Sequence, residues 1–399
     1  MSSLFARKDQ PSHVEALNLP PNTSCLLLKK RTVSVEPIPL PILQPDGLLV
    51  KVISNGICGS DMHAYLAGGV GGRLHATPTV MGHEAAGEVI AVGEYVTTHK
   101  PGDRVAKIRY CGAPGTHGSL SRFFALPADM APHIPESVGW DEAGSIQPLA
   151  IGVQIGKRAD LRAHQTIAIF GCGPIGLITA AVAHAYSVKK IIAFDINPGR
   201  VEFARKYISP LTDKPIINHV IHIGGIPSVP SSKVHKTNGH AGENGEIPVA
   251  DIDEEEHEET IGDIRWEFAQ ARMTEIIRGC GLESEEGVDR VIEASGSDDA
   301  MLHGIAICKQ GGVFLQVGLG HIQTHLMPTI AITNKELDVR GITRYTASCF
   351  PSAIDLLARG VVDLRPLITA KFPLSRAKDA FEAVASGKEM KVIIKNQEV

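Results

Sequence analysis

The feature that most constrains the fold is a glycine-rich turn between an apolar run and a helical pattern. The run Thr166–Phe170 leads into Gly171-Cys172-Gly173-Pro174-Ile175-Gly176, and the helical pattern covers Pro174–Tyr186. These glycines permit a tight turn and let a pyrophosphate approach the helix N-terminus. The next apolar run, Lys190–Phe194, ends in Asp195, whose carboxylate would bind a ribose 2′-hydroxyl and repel a 2′-phosphate. This succession predicts a dinucleotide site that favours NAD.

The chain around this turn alternates apolar runs with helical stretches from residue 149 to about residue 341. Further strands are predicted at Val288–Ala294, Gly312–Val317 and Leu337–Ile342, and Gly311-Gly312 is predicted to form the turn before the second of them. Such alternation is typical of βαβ units on a doubly wound parallel sheet. The fold class is therefore predicted to be α/β.

Residues 24–144 contain short predicted strands, among them Ser24–Glu36 and Leu48–Ile53, and indicate a small β-rich domain. This part also holds candidate metal ligands, since His83 and Glu84 are adjacent and Cys58 follows the second of these strands. Thiolate, imidazole and carboxylate bind zinc, and three protein ligands leave a fourth position open. The alternative is a buried thiol, a core histidine and a surface acid without a metal.

Composition excludes several classes of partner. The 399 residues carry a net charge of −5, and no clustered basic face suggests a nucleic acid. No apolar run approaches the ~18 residues of a membrane span, and Met1–Pro11 has no apolar core of a secretory signal. Seven scattered cysteines indicate reduced thiols and a cytoplasmic protein.

One stretch, residues 224–262, fits neither domain. It is rich in Gly, Ser, Pro and His, and eight acids fall between Asp251 and Asp263. The stretch has no apolar period, so we expect a solvated, disordered insertion in the second domain. A partner-docking segment is the alternative.

Taken together, these motifs resemble the zinc-dependent medium-chain dehydrogenase/reductase superfamily, and within it the sorbitol/xylitol (polyol) dehydrogenase branch. The resemblance extends from about Ser24 to Lys395. The matching stretches are Cys58-Gly59-Ser60-Asp61-Met62-His63, Gly82-His83-Glu84 with Gly87 and Gly93, Pro101-Gly102-Asp103-Arg104-Val105, Gln147-Pro148-Leu149, the glycine turn, Val317-Gly318-Leu319 and Arg344-Tyr345.

The resemblance implies a GroES-like β-rich catalytic domain over residues 1–148, completed by residues 342–399, and a Rossmann-type NAD-binding domain over residues 149–341. It implies one catalytic zinc held by Cys58, His83 and Glu84. The residues that it assigns to catalysis are Ser60 and His63 in a proton relay, Gln147 and Arg344. The residues that it assigns to the cofactor are Gly171, Gly173, Ile175, Gly176, Asp195, Arg200, Val317, Gly318, Leu319, Arg344 and Tyr345.

Three departures from the family pattern matter. Gln147 stands where relatives usually carry glutamate, which makes the zinc site formally neutral. This should lower the pKa of a bound alcohol and weaken metal retention, so an active enzyme with an altered pH profile is expected and a crippled site is the alternative. Val105 is followed by Gly118 after about a dozen residues with only Cys111 between, so the lobe that often holds a structural zinc is missing and none is expected. Ala64 replaces a usual aromatic residue and is expected to open the substrate pocket.

The predicted function is reversible, NAD-linked oxidation of a secondary alcohol of a polyol, of the xylitol, L-arabinitol or sorbitol type, to the ketose. A biosynthetic alcohol dehydrogenase or ketone reductase with another substrate is a second hypothesis. A catalytically silent dinucleotide-binding relative is a third. The expected partners are a small-molecule substrate and further copies of the chain in a homo-oligomer, with no nucleic acid and no membrane.

Overall fold

The computed structural model describes residues 17–70, 73–74, 78–108, 118–227, 261–282, 287–320 and 327–398. Cys111 and residues 228–260 of the predicted insertion lie outside these ranges. The strands are β1 (Asn22–Lys29), β2 (Thr32–Ile38), β3 (Gly47–Gly56), β4 (Gly69–Val70), β5 (Arg73–Leu74), β6 (Thr79–Val80), β7 (Glu84–Val92), β8 (Arg104–Ala106), β9 (Phe123–Pro127), β10 (Thr166–Phe170), β11 (Lys190–Asp195), β12 (His219–His222), β13 (Val288–Glu293), β14 (Cys308–Gln316), β15 (Asp338–Gly341), β16 (Ile368–Pro373) and β17 (Lys391–Lys395). The α-helices are α1 (Gly59–Ala67), α2 (Trp140–Ala143), α3 (Ile146–Arg158), α4 (Pro174–Ala185), α5 (Pro198–Arg205), α6 (Ile261–Gly279), α7 (Asp298–Ile307), α8 (Thr329–Asn334), α9 (Cys349–Ala358) and α10 (Ala377–Ala385).

Six parallel strands form a sheet in the order β12-β11-β10-β13-β14-β15. Numbered along the chain this order is 3-2-1-4-5-6, the doubly wound Rossmann order. The α/β fold class predicted from the sequence is confirmed. The predicted turn at Gly311-Gly312 lies inside β14, whose bounds are Cys308–Gln316. The register against β13 shifts there and Gly311 has φ of 66°, so the chain bends at the glycines without ending the strand.

Helices cover both faces of this parallel sheet because successive strand side chains point to opposite sides. In β10, Ile167 and Ile169 pack into an apolar core with α3, α4 and α9. Their neighbours Ala168 and Phe170 pack into a second core with α6 and α7. The parallel strands are thereby packed on both faces, and their carboxyl ends lie at one edge of the sheet.

A second sheet has the order β16-β17-β3-β7-β8, with β9 also paired to β3, and a third has the order β2-β1-β6. The β-rich part predicted from the sequence is confirmed, but Ser24–Glu36 is not one strand. It is an antiparallel hairpin of β1 and β2, whose turn passes through Arg31 with φ of 56°. The turn contains no glycine, so the sequence carries no turn signal there and predicts the two strands as one.

The C-terminal segment returns to the sheet that contains β3, since Ile393–Lys395 of β17 pair with Ser54–Gly56 of β3. Helix α3 runs across residue 148, and the domain boundaries at 148 and 341 stay predictions. Among the described residues, no helix combines the length and the apolarity that crossing a bilayer requires.

Candidate active site

Three candidate metal ligands meet where α1 and β7 begin. Cys58 is the N-cap residue of α1, His83 directly precedes β7, and Glu84 is the first residue of that strand. Gly82 has φ of 88° and no room for a side chain, since a Cβ atom there would lie 2.6 Å from Leu120 Cγ. One donor atom from each of the three ligands lies within 4.8 Å of the other two, and in the described part of the chain this is the one group of its kind.

Asp61, buried in α1, orients two of these ligands. Its Oδ1 lies 3.3 Å from His83 Nδ1, and its Oδ2 accepts the Cys58 N–H at 3.0 Å. With Nδ1 directed at a carboxylate, Nε2 of His83 is the nitrogen left for a metal, and Ser60 Oγ lies 3.3 Å from it. Burial alone would lower the pKa of His83, but Asp61 and Cys58 raise that pKa well above its ordinary value. A proton and a metal ion therefore compete for this ring.

Glu84 faces a buried lysine. Lys391 Nζ pairs with Oε2 of Glu84, and the two residues are only 5% and 1% exposed. The other carboxylate oxygen, Oε1, is buried without a hydrogen-bond partner in the described structure, and so is Oε1 of Gln147. Buried polar atoms are normally satisfied, and a cation would satisfy these two. Together with the thiol and the imidazole they make a donor set that fits zinc.

A cavity of about 870 Å³ extends from these ligands to the carboxyl ends of the parallel strands. The predicted site residues that line it are Cys58, Ser60, His63, His83, Gln147, Ile175, Val317, Gly318, Leu319 and Arg344. Arg344 has φ of 61°, in the left-handed region that costs free energy for a residue with a side chain. The fold thus brings the metal donors, the relay candidates and the nicotinamide-side strand ends to one cavity.

Two predicted residues lie next to this cavity without lining it, Glu84 and Tyr345. The Tyr345 ring packs edge-on against Phe350, and its hydroxyl donates to the Ile108 carbonyl. Burial raises the pKa of Tyr345, and the Gln147 amide beside it opposes the rise. Tyr345 therefore supports the wall of the cavity behind Gln147.

The expectation that Ala64 opens the substrate pocket is wrong. Ala64 is 4% exposed, does not line the cavity, and belongs to an apolar core that includes Met62 and Tyr65. Because successive helix residues point about 100° apart, the residue after His63 faces away from the site. The small side chain at position 64 therefore does not enlarge the cavity.

The predicted dinucleotide turn lies at the carboxyl end of β10. Gly171 has φ of 105°, and a Cβ atom on Gly176 would lie 1.8 Å from the Gly171 carbonyl oxygen. Arg200 reaches toward this turn, since its Nη1 lies 3.9 Å from the position of a Cβ atom on Gly173. Only glycine permits this packing, and it leaves the N-terminus of α4 open beside a guanidinium.

Asp195, at the end of β11, is 6% exposed and anchors the same turn. Its Oδ2 accepts the Cys172 N–H at 2.7 Å, and its Oδ1 accepts the Asn197 N–H at 2.8 Å. Each carboxylate oxygen has a further lone pair for a ribose hydroxyl. The carboxylate therefore shapes the turn and places a negative charge beside it.

Glu293, at the end of β13, is a buried site residue that the sequence analysis did not identify. Its Oε1 accepts the Ser295 N–H at 2.8 Å, the Ser295 hydroxyl at 2.5 Å and the Gly296 N–H at 2.9 Å, while its Oε2 accepts Gln316 Nε2 at 2.7 Å. The Glu293 carbonyl also accepts the Gly318 N–H at 2.9 Å. Glu293 thus joins the two loops that line the cofactor side of the cavity. An acid that ends an apolar strand and precedes Ala-Ser-Gly was the available signal.

Comparison with known proteins gives a consistent assignment. Residues 44–136 match the alcohol dehydrogenase GroES-like domain family, and residues 251–359 match the zinc-binding dehydrogenase family. D-xylulose reductase A from Aspergillus oryzae is 32% identical over 401 residues, covering 95% of this chain and 98% of that protein. The structure of 2R,3R-butanediol dehydrogenase from Bacillus subtilis has a TM-score of 0.72 at 23% identity, covering 94% and 99% of the two chains. Galactitol-1-phosphate dehydrogenase from Escherichia coli has a TM-score of 0.72 at 20% identity, with coverage of 94% and 99%.

Proposed function

The chain belongs to the zinc-dependent medium-chain alcohol dehydrogenase family, and from this we propose that it oxidises a secondary alcohol of a polyol to the ketose, reversibly and with NAD as acceptor. The enzyme is an oxidoreductase of the class that uses NAD(P) and a catalytic zinc ion. One observation carries the proposal: two of the three candidate zinc ligands, Cys58 and His83, line the same cavity as the strand ends expected to hold nicotinamide.

Cys58, His83 and Glu84 would hold the zinc ion, which acts when bound as a Lewis acid that lowers the pKa of an alcohol oxygen. Asp61 keeps the His83 ring oriented for that role. Ser60 Oγ, which lies beside His83 Nε2, would receive the proton of the substrate hydroxyl and pass it on through His63.

The overall reaction balances as one alcohol and one NAD⁺ giving one ketone, one NADH and one proton. A bound NAD would accept a hydride from the carbinol carbon, and the relay of Ser60 and His63 would carry away the hydroxyl proton. Arg344, at the cavity wall, would donate several hydrogen bonds to the remaining hydroxyls of a polyol. The residues proposed to hold the dinucleotide are Gly171, Gly173, Ile175, Gly176, Asp195, Arg200, Val317, Gly318, Leu319, Arg344 and Tyr345.

The substrate class rests on the relatives. D-xylulose reductase A acts, by its name, on a ketose, and the Aspergillus oryzae protein matches this chain over nearly its whole length. A polyol needs a polar wall, and Gln147, Ser60 and Arg344 supply one in the cavity. Preference for NAD over NADP rests on the negative charge of Asp195.

The test is a panel of xylitol, L-arabinitol, sorbitol and simple secondary alcohols, each with NAD and NADP, followed by absorbance of the reduced cofactor. We expect turnover of at least one polyol with NAD and close to one zinc per chain by metal analysis. Turnover of simple alcohols alone would reassign the substrate. Zinc-free protein that binds NADH without turning over any alcohol would identify a silent dinucleotide-binding relative.

Two cysteine variants separate the metal site from general damage. Cys58→Ala should abolish turnover and zinc binding while NADH still binds. The control is Cys280→Ala directly after α6, which removes a buried thiol from an apolar core outside the metal donor set. Equal loss of activity in both variants would argue against Cys58 as a ligand.

The cytoplasmic location and the homo-oligomeric assembly predicted from the sequence remain part of the proposal. Cell fractionation tests the first, and light scattering of the purified protein tests the second.

A further inference from the structure

The pair formed by Lys391 and Glu84 has features that a simple structural ion pair does not require. Lys391 is the first residue of β17, and its Nζ contacts both Oε2 of Glu84 and the Ile57 carbonyl, the latter at 3.0 Å. Ile57 directly precedes the candidate ligand Cys58. The only charged partner of this buried cation in the described structure is therefore one of the three candidate zinc ligands.

The surroundings hold the pair tightly. A Cβ atom on Gly56 would lie 2.1 Å from Oε2 of Glu84 and 2.9 Å from Cε of Lys391, so the pair fills the space above this glycine. Residues 54–56 of β3 are in turn paired with β17. The lysine cannot withdraw far from the carboxylate without disturbing the sheet.

The two oxygens of Glu84 are not equivalent. Oε2 is held by Lys391, whereas Oε1 is buried and makes no hydrogen bond to the described residues. One oxygen is thus held by a fixed ammonium group, and the other has no hydrogen-bond partner in the described structure. Glu84 can offer one carboxylate oxygen to a cation together with Cys58 and His83. A carboxylate in this position is shared between two positive charges whenever the metal is bound.

We propose that Lys391 is a positioning residue that competes with the catalytic zinc ion for Glu84 and thereby sets how firmly the enzyme retains its metal. The inference rests on the proposed function, because it takes Cys58, His83 and Glu84 as the zinc ligands. When Glu84 leaves the metal, Lys391 still compensates its charge, which lowers the free-energy cost of releasing zinc.

This role gives opposite effects in the two states of the protein. Without zinc, removing Lys391 leaves a buried carboxylate uncompensated, which is strongly destabilising. With zinc, the metal compensates Glu84, and removal of its competitor favours the bound state. A purely structural lysine would instead weaken both states, because loss of its packing would loosen the metal site.

The experiment measures zinc release to a chromogenic chelator in the holoenzyme, which requires no catalytic assay. Lys391→Met should release zinc more slowly than the native protein, on the order of tenfold, the usual size of effects from residues that contact metal ligands. Its metal-free form should melt on the order of 5–10 °C below the metal-free native protein. Release at the native rate or faster overturns the inference.

Lys395→Met is the matched control. Lys395 lies four residues further along β17 and also pairs with a carboxylate, that of Asp141, but outside the metal site. It should leave the rate of zinc release unchanged. A slowing equal to that of Lys391→Met would show a general effect of strand charge and would reject the specific role.

The background variant Glu84→Gln provides the second test, and it protects against failure of the single variant to fold. The double variant Glu84→Gln with Lys391→Met removes both charges and leaves no unpaired ion. If Lys391 acts through Glu84, the double variant should release zinc at the rate of Glu84→Gln alone. A further slowing in the double variant contradicts the inference.

The zinc content of the native protein distinguishes failure of the proposed zinc site from failure of the proposed role of Lys391. Native protein that binds no zinc refutes the zinc site in the proposed function, and this inference falls with it. Native protein with one zinc per chain, but with unchanged release in Lys391→Met, refutes the competition alone.

Discussion

Replacing Glu293 by glutamine tests whether the cofactor side of the cavity is preorganised by a buried charge. The carboxylate is fully buried and receives its hydrogen bonds from Ser295, Gly296 and Gln316, none of them a cation. In Glu293→Gln, the amide oxygen can keep the donors of the first loop, while the amide NH₂ group meets Gln316 Nε2, itself a donor. Oε1 of Gln316 is buried without a partner and could turn toward the NH₂ group, but its Nε2 would then lose the Gly318 carbonyl at 2.8 Å.

The expected magnitude follows from this count. Hydrogen bonds to a charged acceptor contribute about 1.5–3 kcal/mol each and neutral ones about 0.5–1.5 kcal/mol. We expect the weakening of three hydrogen bonds and the loss of one to destabilise the two loops by about 2–4 kcal/mol. This is less than the sum of the four bonds because the variant no longer has to desolvate a buried charge. If NADH binding has to offset about 1.4 kcal/mol of this destabilisation in order to order the loops, the Kd for NADH rises about tenfold.

The assay is a fluorescence titration with NADH, combined with thermal unfolding and zinc analysis. We expect a tenfold weaker Kd, a lower Tm and an unchanged zinc content, since the metal ligands lie on other segments. The swap Glu293→Gln with Gln316→Glu restores one acceptor between the loops and should recover part of the affinity. An unchanged Kd despite a lower Tm would refute the reasoning, because Glu293 would then support the sheet without shaping the cofactor loops.

The remaining predictions concern cofactor choice, the metal site and acid stability. Asp195→Asn should narrow the preference for NAD over NADP by about 1–3 kcal/mol, read from the ratio of kcat/KM values, and an unchanged ratio would contradict the role of its charge. Gln147→Glu adds a negative charge beside the metal donors, so zinc should be released more slowly and the kinetic pKa for alcohol oxidation should rise; no change in either places the side chain away from the metal. His303 has its pKa lowered to about 4 by burial and by Arg272, against an ordinary value of 6.5, so the unfolded chain binds a proton first as the pH falls. The native protein should therefore lose up to about 3 kcal/mol of stability between pH 6.5 and pH 4 from this group, and His303→Gln should lose less over that window in urea unfolding.

The parallel sheet was accessible from the sequence because its signals are local. The predicted strand Thr166–Phe170 matches β10, and the predicted helix and following strand agree with α4 and β11 to within a residue at their ends. A glycine turn, a run of apolar residues and a terminal acid are each contained within a few positions. Such patterns do not depend on the rest of the chain.

Lys391 could not be found in this way. It opens the segment Lys-Val-Ile-Ile-Lys, which reads as an ordinary strand with charged ends, and its partner Glu84 is 307 positions away. Glu293 is intermediate. It lies within a predicted strand, but its side-chain donors come from Ser295 and Gly296 after β13 and from Gln316 at the end of β14, which only the folded sheet brings together. The hydrogen bonds and ion pairs around the site join residues that are far apart in the sequence. The metal-binding residue types, in contrast, can each be identified from the local sequence.

The pairing of β17 with β3 also fixes when the site can form. The whole parallel sheet, β10 to β15, lies between these two strands in the chain, and its neighbouring strands follow one another at much shorter separations. Contacts between distant segments carry a larger loop-closure entropy and usually form later than local ones. We therefore expect the nucleotide-binding half to become ordered first, with Glu84 lacking its buried counter-charge until β17 docks. Before β17 docks, Glu84 could bind zinc without competition from Lys391. Metal loading would therefore be easiest before folding is complete.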